Sequence, residues 1–220
     1  ITQAGNILYG AMELLGNKQG NDKTLFGRKF SQFLKLTSEV RYYYKLGEKS
    51  MIASRFMAGI VKPFLNSTVV PYSEQFFIGG ANSIRAFGVR TIGPGSYHPA
   101  SDALYSYLDQ TGNLKLEANV EYRFPIMGSL YGALFMDAGN IWLIKKEEAR
   151  PGGEFSFKTL GKDIALGTGA GLRFDITYIV LRFDVGVPLH APYDTGKTGY
   201  YNIRRFWKDL GFHLAVGYPF

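Results

Sequence analysis

Residues 114–124 read LKLEANVEYRF. Leu114, Leu116, Ala118, Val120, Tyr122 and Phe124 alternate there with Lys115, Glu117, Asn119, Glu121 and Arg123. A side-chain period of two sustained over this length marks a β-strand with one apolar and one polar face. Residues 164–176 and 179–189 repeat the pattern, and 209–220 carry it to the last residue. Noisier versions cover about 6–15, 33–46, 51–62 and 129–140, so eight strands are predicted. Most of these runs exceed the five or six residues or so favoured in soluble sheets and match the roughly nine to eleven that a tilted membrane-spanning strand needs.

The connections add a second signal. In chain order they are long (about 16–32), short (47–50), long (63–112), short (125–128), long (141–163), short (177–178) and long (190–208). Alternation of long loops with tight turns is the arrangement of outer-membrane barrels, with loops extracellular and turns periplasmic; both chain ends then fall on the periplasmic side. The polar faces mix Arg, Glu, Asp, Asn and Gly as a wet lumen would, while Tyr42, Tyr44, Phe124 and Tyr218 sit towards the ends of apolar faces as a headgroup girdle would. A soluble β-sandwich or lipocalin-like barrel shares the period of two and is weighed against this reading; the polar-face chemistry and the strand lengths argue for the membrane.

Composition agrees. With 46% hydrophobic and 20% charged residues, 27 Gly, 17 Phe, 15 Tyr and 2 Trp, the 220-residue chain is too apolar for disorder and too rich in Gly and aromatics for a helical bundle. No apolar run reaches the eighteen or so residues of a membrane-spanning helix. The absence of Cys removes disulfides and thiolate chemistry. A net charge of +7 is spread along the chain, which gives it little weight as a nucleic-acid signal. The opening ITQAGNILYGAMEL has neither an initiator Met nor the regions of a signal peptide and reads as a processed product or an excised part.

Eight strands can close into a small barrel, but its interior holds only its own side chains. The 63–112 connection contains VVPYSEQFFIGGANSIRAFGVRTIGPGSYHP, whose apolar, Gly and Arg residues suit packing within a lumen. The expected fold is therefore all-β: part of a wider antiparallel transmembrane β-barrel, with 63–112 as a long extracellular loop folding inward.

Ile84-Arg85-Ala86-Phe87, within GGANSIRAFGVRTIGPG, resembles the Val-Arg-Gly-Phe/Tyr motif in the sixth extracellular loop of the outer-membrane barrel-assembly superfamily that includes the BamA and TamA proteins. Gly132 to Gly139 (GALFMDAG), with Gly132, Phe135, Asp137 and Gly139, is similar to that family's G-x-x-F-x-D-x-G strand motif. Asn119 to Ile126 resembles the strand before it, and FHLAVGYPF the C-terminal signal. The matches run in order over about residues 74–220. The resemblance implies that this chain supplies strands 9–16 of a sixteen-stranded barrel, with POTRA domains and the earlier strands upstream. Ala86 departs from the commoner Gly, and Ala resists positive φ.

In the family the motif arginine pairs with acidic lumen residues. Carried over, Arg85 pairs with Asp137 first and Glu121 second, a charge-assisted contact that would anchor a loop with few strand hydrogen bonds. Alternation places Asp137 inward with Tyr131, Ala133 and Phe135. Hairpin register about a 125–128 turn sets it opposite Glu117. The terminal strand has two readings: Gly211, Leu214 and Val216 form the signal with 217–220 as an overhang, or Tyr218 and Phe220 are its apolar positions. In a closed barrel it must pair with the first strand, and the resemblance implies that this seam is held weakly; an openable seam is a template for an incoming strand.

Other features carry little chemistry. Gly167-Thr168-Gly169-Ala170-Gly171 lies in a strand and does not match a nucleotide-binding loop; small lumen-facing residues explain it. His98, His190 and His213 lack metal-ligand spacing. No G-x-S-x-G element occurs, and Asn66-Ser67-Thr68, a glycosylation sequon, has no meaning in a bacterial outer membrane. The basic and aromatic clusters Arg41–Lys45 and Arg204–Lys208 read as interfacial and lumen residues.

The implied activity is non-enzymatic, without cofactor or metal: folding and insertion of β-barrel proteins into the outer membrane of a Gram-negative bacterium. Its implied partners are outer-membrane lipid, unfolded barrel substrates and periplasmic or lipoprotein accessory subunits. A two-partner secretion pore, which shares the loop motif, and a passive eight-stranded barrel are the alternatives.

Overall fold

The computed structural model describes residues 1–15, 23–99, 106–176, 178–204, 207 and 209–220. Among the described residues ten strands occur in chain order: β1 (Thr2–Ala4), β2 (Thr24–Leu25), β3 (Arg28–Lys29), β4 (Phe33–Lys45), β5 (Met51–Pro63), β6 (Leu114–Met127), β7 (Leu130–Trp142), β8 (Ala165–Ile176), β9 (Ile179–His190) and β10 (Gly211–Val216). β2 and β3 form a separate small hairpin, and the other eight make one antiparallel sheet in the order β1-β4-β5-β6-β7-β8-β9-β10. Each long strand pairs with its neighbour in sequence, the meander expected of a barrel wall.

The wall has inverted polarity. Val120, Leu134, Met136, Leu172, Phe174 and Phe183 stand exposed on one face, while Glu117, Glu121, Asp137, Arg173, Arg182 and Asp184 on the other are almost fully buried. Contiguous exposed apolar surface on this scale belongs against lipid, not water. The buried charges face the long connection between β5 and β6, whose Ile78, Ile84, Ala86, Phe87 and Ile92 pack with the inward residues Phe33, Val61, Ile141 and Ala165 into one apolar cluster. The chain is thus a piece of a transmembrane barrel wall with its long loop laid on the inner face.

Three expectations need correction. Residues 6–14 form an α-helix, and the first strand is only Thr2–Ala4, paired with Phe33–Lys35. Gly5, in the left-handed region at φ 73, turns the chain away from the sheet. Leu8, Tyr9 and Met12 then turn inward at helical spacing, and the Lys23 ammonium caps the Tyr9 ring at 3.7 Å. The AMEL run consists of strong helix formers, and its apolar positions satisfy a period of 3.6 as well as two.

Second, the β6–β7 turn falls at Gly128–Ser129 and not over 125–128. β6 continues through Pro125 to Met127 with an irregularity between them, and Gly128 takes φ 54. The register moves accordingly: Asp137 faces Asn119, and Glu117 faces Gly139.

Third, the terminal strand stops at Val216. Gly217, at φ 85, donates a last rung to the Val180 carbonyl at 2.8 Å, and the residues after it turn inward. Phe220 is buried, and the Tyr218 ring lies 4.2 Å from the Arg123 guanidinium, so neither is an outward strand position. The overhang reading of 217–220 describes this end. Of the short turn at 177–178, Thr177 lies outside the described residues, as do Arg205, Phe206 and Lys208 of the basic cluster near the C-terminus.

Candidate functional site

The centre of the inner face is Arg85. Loop residues Gly79–Val89 fold on themselves through Gly80 N–H to the Phe87 carbonyl (2.8 Å) and Phe87 N–H to the Ile84 carbonyl (3.0 Å), which drives Ile84 and Phe87 into the apolar cluster and points Arg85 at the wall. Arg85 Nε donates to Asp137 Oδ2 at 2.9 Å and Nη2 to Asp137 Oδ1 at 2.9 Å, a two-point fork. Its backbone N–H adds a third bond to Asp137 Oδ2 at 3.0 Å. Nη1 donates to Glu121 Oε2, and the guanidinium lies 3.5 Å from the centre of the Phe135 ring. Burial works against the charge of Arg85, but the hydrogen bonds and charges of Asp137 and Glu121 outweigh it and hold the guanidinium above its ordinary pKa.

The carboxylates are shared. Glu121 also accepts from Arg173 Nη2 at 2.9 Å and Arg123 Nε at 2.8 Å. Arg173 Nη1 donates to Asp184 Oδ1 at 2.5 Å, and Arg182 Nε lies 3.5 Å from Asp184 Oδ2. Asn119 Nδ2 bridges Asp137 Oδ1 (2.9 Å) and the Ser83 carbonyl (3.0 Å). A second fastening sits beside it: Arg55 pairs with Glu117 and donates to the Asn82 carbonyl at 2.8 Å, while Ser83 Oγ donates to Glu117 Oε2 at 2.7 Å. Buried charges are tolerated only when paired and hydrogen-bonded, and here each carboxylate holds at least one guanidinium.

Close approach of the loop depends on missing side chains in the wall. A Cβ at Gly211 would sit 2.5 Å from the Arg85 carbonyl oxygen, and one at Gly186 would strike the same peptide. A Cβ on Gly167 would meet that of Ala86, and one on Gly169 the Phe135 ring. The glycine stretch of β8 and the Gly186–Gly211 pair are therefore the floor on which the loop lies. Ala86 takes no positive φ, so its methyl costs no backbone strain. Gly139 leaves room for Ile78, and Gly132 accommodates the Phe124 ring on the lipid side, away from the site.

Leu214 and Val216 face outward from β10, but His213 faces inward and its Nε2 lies 2.8 Å from the Arg85 carbonyl. Phe220 lies 5.1 Å below the Arg55 guanidinium. Arg55, Arg173, Arg182 and Asp184 lie outside the family motifs, and Asn119 and His213 lie in motif stretches that gave them no role; inward alternation with charge on paired strands is the signal that finds them. Elsewhere, His98 stacks on Tyr193 and His190 on Tyr200, and the Asn66 amide is spent inside the fold on the Lys23 and Phe30 carbonyls.

The model of the Omp85 superfamily domain matches residues 14–220, nearly the whole chain. The chain belongs to the Omp85 superfamily. Within it, the outer membrane protein assembly factor BamA of Neisseria meningitidis serogroup B (strain ATCC BAA-335 / MC58) is 26% identical over 116 residues, which cover 50% of this chain and 14% of that protein. The crystal structure of BamA from Haemophilus ducreyi lacking POTRA domains 1–3 superposes with a TM-score of 0.59 at 19% identity, covering 88% of this chain and 37% of that one. CdiB from Acinetobacter baumannii gives 0.47 at 17% identity, with coverage of 84% and 27%. This Omp85 chain thus spans well under half the length of the relatives it matches, and it corresponds to the barrel portion of the superfamily.

Proposed function

We propose that this Omp85 barrel portion belongs to an assembly factor that folds and inserts β-barrel proteins into the outer membrane of a Gram-negative bacterium through a lateral seam, with these strands as the ninth to sixteenth of sixteen. The observation that carries the reading is the mismatch at the terminal strand. β9 offers twelve residues and β10 only six: β10 covers Leu181–Gly186, Gly217 turns the chain inward at one end, and Val187–His190 extend past the start of β10 at the other. A seam made on β10 has a short ladder, and its unused backbone donors and acceptors are a template for another strand. No bound nucleotide is needed, since folding of the substrate supplies the free energy; we assign the protein no enzymatic activity. Unfolded barrel proteins, outer-membrane lipid, POTRA domains upstream and periplasmic or lipoprotein subunits are the partners this role requires.

The inner face argues against a polypeptide-conducting pore, because the loop covers the wall and is fastened by two charged clusters. Depletion of the full-length protein tests the proposal. Outer-membrane levels of unrelated barrels should fall together; normal levels of all of them would sink it. Ion conductance that changes on addition of one dedicated partner would favour the pore.

A further inference from the structure

The outer face holds a feature that the assembly role does not use. Near the loop end of β4–β7, the small residues Ser38 and Ala58 lie side by side, with Leu36, Ile60, Leu116 and Trp142 around them. They leave a groove of about 310 Å³ whose lining is almost wholly apolar. Its far wall is not a strand: Phe155, from the connection after β7, packs edge-on against Trp142 at 5.4 Å, and Trp142 is fixed further by its Nε1 donating to Asp163 Oδ2 at 3.3 Å. Phe157 beside it, 4.9 Å from Phe155, is 83% exposed. A loop that folds down to place aromatics against the lipid face builds a slot, where a plain barrel wall would present a flat surface.

Just beyond the groove the chemistry changes. Lys62 follows Ile60 outward, and Ile144 and Lys145 follow Trp142, at the edge of a second, smaller cavity of about 120 Å³. Arg150 in that cavity is occupied by Glu147 and by the Asp109 and Thr111 carbonyls. The ammonium groups of Lys62 and Lys145 have no acidic or hydrogen-bonding partner among the described residues and are exposed. At a rise of about 3.3 Å per residue Lys62 stands some 7 Å beyond Ile60 along β5, and Lys145, in the bend after β7, lines the same small cavity.

We propose that this slot binds one lipid bearing a phosphate headgroup, an acyl chain lying along Ser38 and Ala58 against Trp142 and Phe155, and the phosphate held between Lys62 and Lys145. The spacing from apolar groove to cations matches a lipid that crosses from acyl region to headgroup, and unpaired ammonium groups at the membrane surface attract anionic lipid. The inference rests on the reading of the long connections as extracellular, so the lipid is one of the outward-facing leaflet.

The test uses the full-length protein in detergent, with diphosphoryl lipid A as the probe and retention measured by native mass spectrometry. The double change Lys62→Gln, Lys145→Gln removes two exposed charges without touching the packing, and Ala58→Leu fills the groove. Wild type should retain one lipid A, and each variant at least five-fold less, with heat-modifiable migration unchanged. Fully dephosphorylated lipid A should be retained as poorly by wild type as the phosphorylated form is by the lysine variant. Equal retention by wild type and both variants, or of both lipids by wild type, overturns the site. Neither result depends on whether depletion lowers other barrels, so failure of the assembly reading and failure of the lipid site are told apart.

Discussion

His213 Nε2 donates to the carbonyl oxygen of Arg85 at 2.8 Å, so the terminal strand grips the backbone of the same residue whose guanidinium Asp137 grips from β7. The carbonyl can only accept, which fixes the proton on Nε2 in this contact. His213→Ala leaves that carbonyl without its partner and should cost about 1 kcal/mol, while His213→Gln, which keeps a donor, should cost less. Hydrogen exchange of the Gly211–Val216 amides in the full-length protein reads the effect directly. Protection there should fall in the Ala variant; unchanged protection would mean that loop and strand are not coupled.

The fork between Arg85 and Asp137 makes a sharper prediction. Removing either partner strands a buried charge, at about 3–5 kcal/mol. Arg85→Ala and Asp137→Ala should each lower the unfolding midpoint strongly, and the double variant should lose less than their sum, with a coupling of up to about 3 kcal/mol. Glu121 serves Arg85, Arg173 and Arg123 together, so Glu121→Gln weakens three pairs, and it should be milder than Asp137→Asn only if the fork is the dominant contact. Arg85→Lys should not restore wild-type behaviour, because an ammonium cannot reproduce the paired Nε and Nη2 contacts or lie flat on Phe135. Strict additivity of the two Ala substitutions would rule out a direct pairing.

Glycine at the loop floor is a steric requirement. In Gly211→Ala and Gly186→Ala the new methyl meets Arg85 backbone, which cannot swing aside as a flexible side chain would. Overpacking of this kind costs about 1–3 kcal/mol. Gly10→Ala, where nothing lies within 4 Å, serves as the control and should be neutral or slightly stabilising. The comparison is made by thermal melts of the three variants; equal midpoints would show that the loop stands off the wall.

The sequence made the wall legible because every inward residue of β6–β9 is one step from an outward one, and a period of two survives insertion of charges on one side. Leu134 and Met136 outside with Asp137 and Phe135 inside follow from that alone. What alternation could not fix was phase near breaks. Pro125 reads as a strand end, yet β6 runs past it to Met127, and the hairpin partner of Asp137 is Asn119 in place of Glu117. The N-terminal segment failed for the opposite reason: its apolar residues fit two periods, and tertiary contacts at Tyr9 with helix-forming residues decided for the helix. Within the site, Arg85, Asp137 and Glu121 could be named from motif resemblance. Arg173, Arg55 and His213 could not, since lumen charges become partners only when register brings their strands together.

Register also explains the final relationship, at the inward turn of the C-terminus. Gly217 sits at φ 85 with no atom near its missing Cβ, so a side chain there is opposed by backbone conformation alone. Gly217→Val should resist the left-handed turn by about 1–2 kcal/mol and favour continuation of β10 as an extended strand. Tyr218 and Phe220 would then leave the Arg123 and Arg55 guanidiniums, which they now face at 4.2 and 5.1 Å. A longer β10 offers more ladder to its neighbour across the seam, so the variant seam should open less readily. A cysteine pair across the seam in the full-length protein, one cysteine in β10, should crosslink faster in Gly217→Val than in wild type, and under the proposed assembly role delivery of other barrels to the outer membrane should slow. Phe220→Ala removes the stacking without changing the turn and should leave crosslinking near the wild-type rate. Faster crosslinking in Phe220→Ala than in Gly217→Val would place control of the seam in the aromatic contact and not in the glycine.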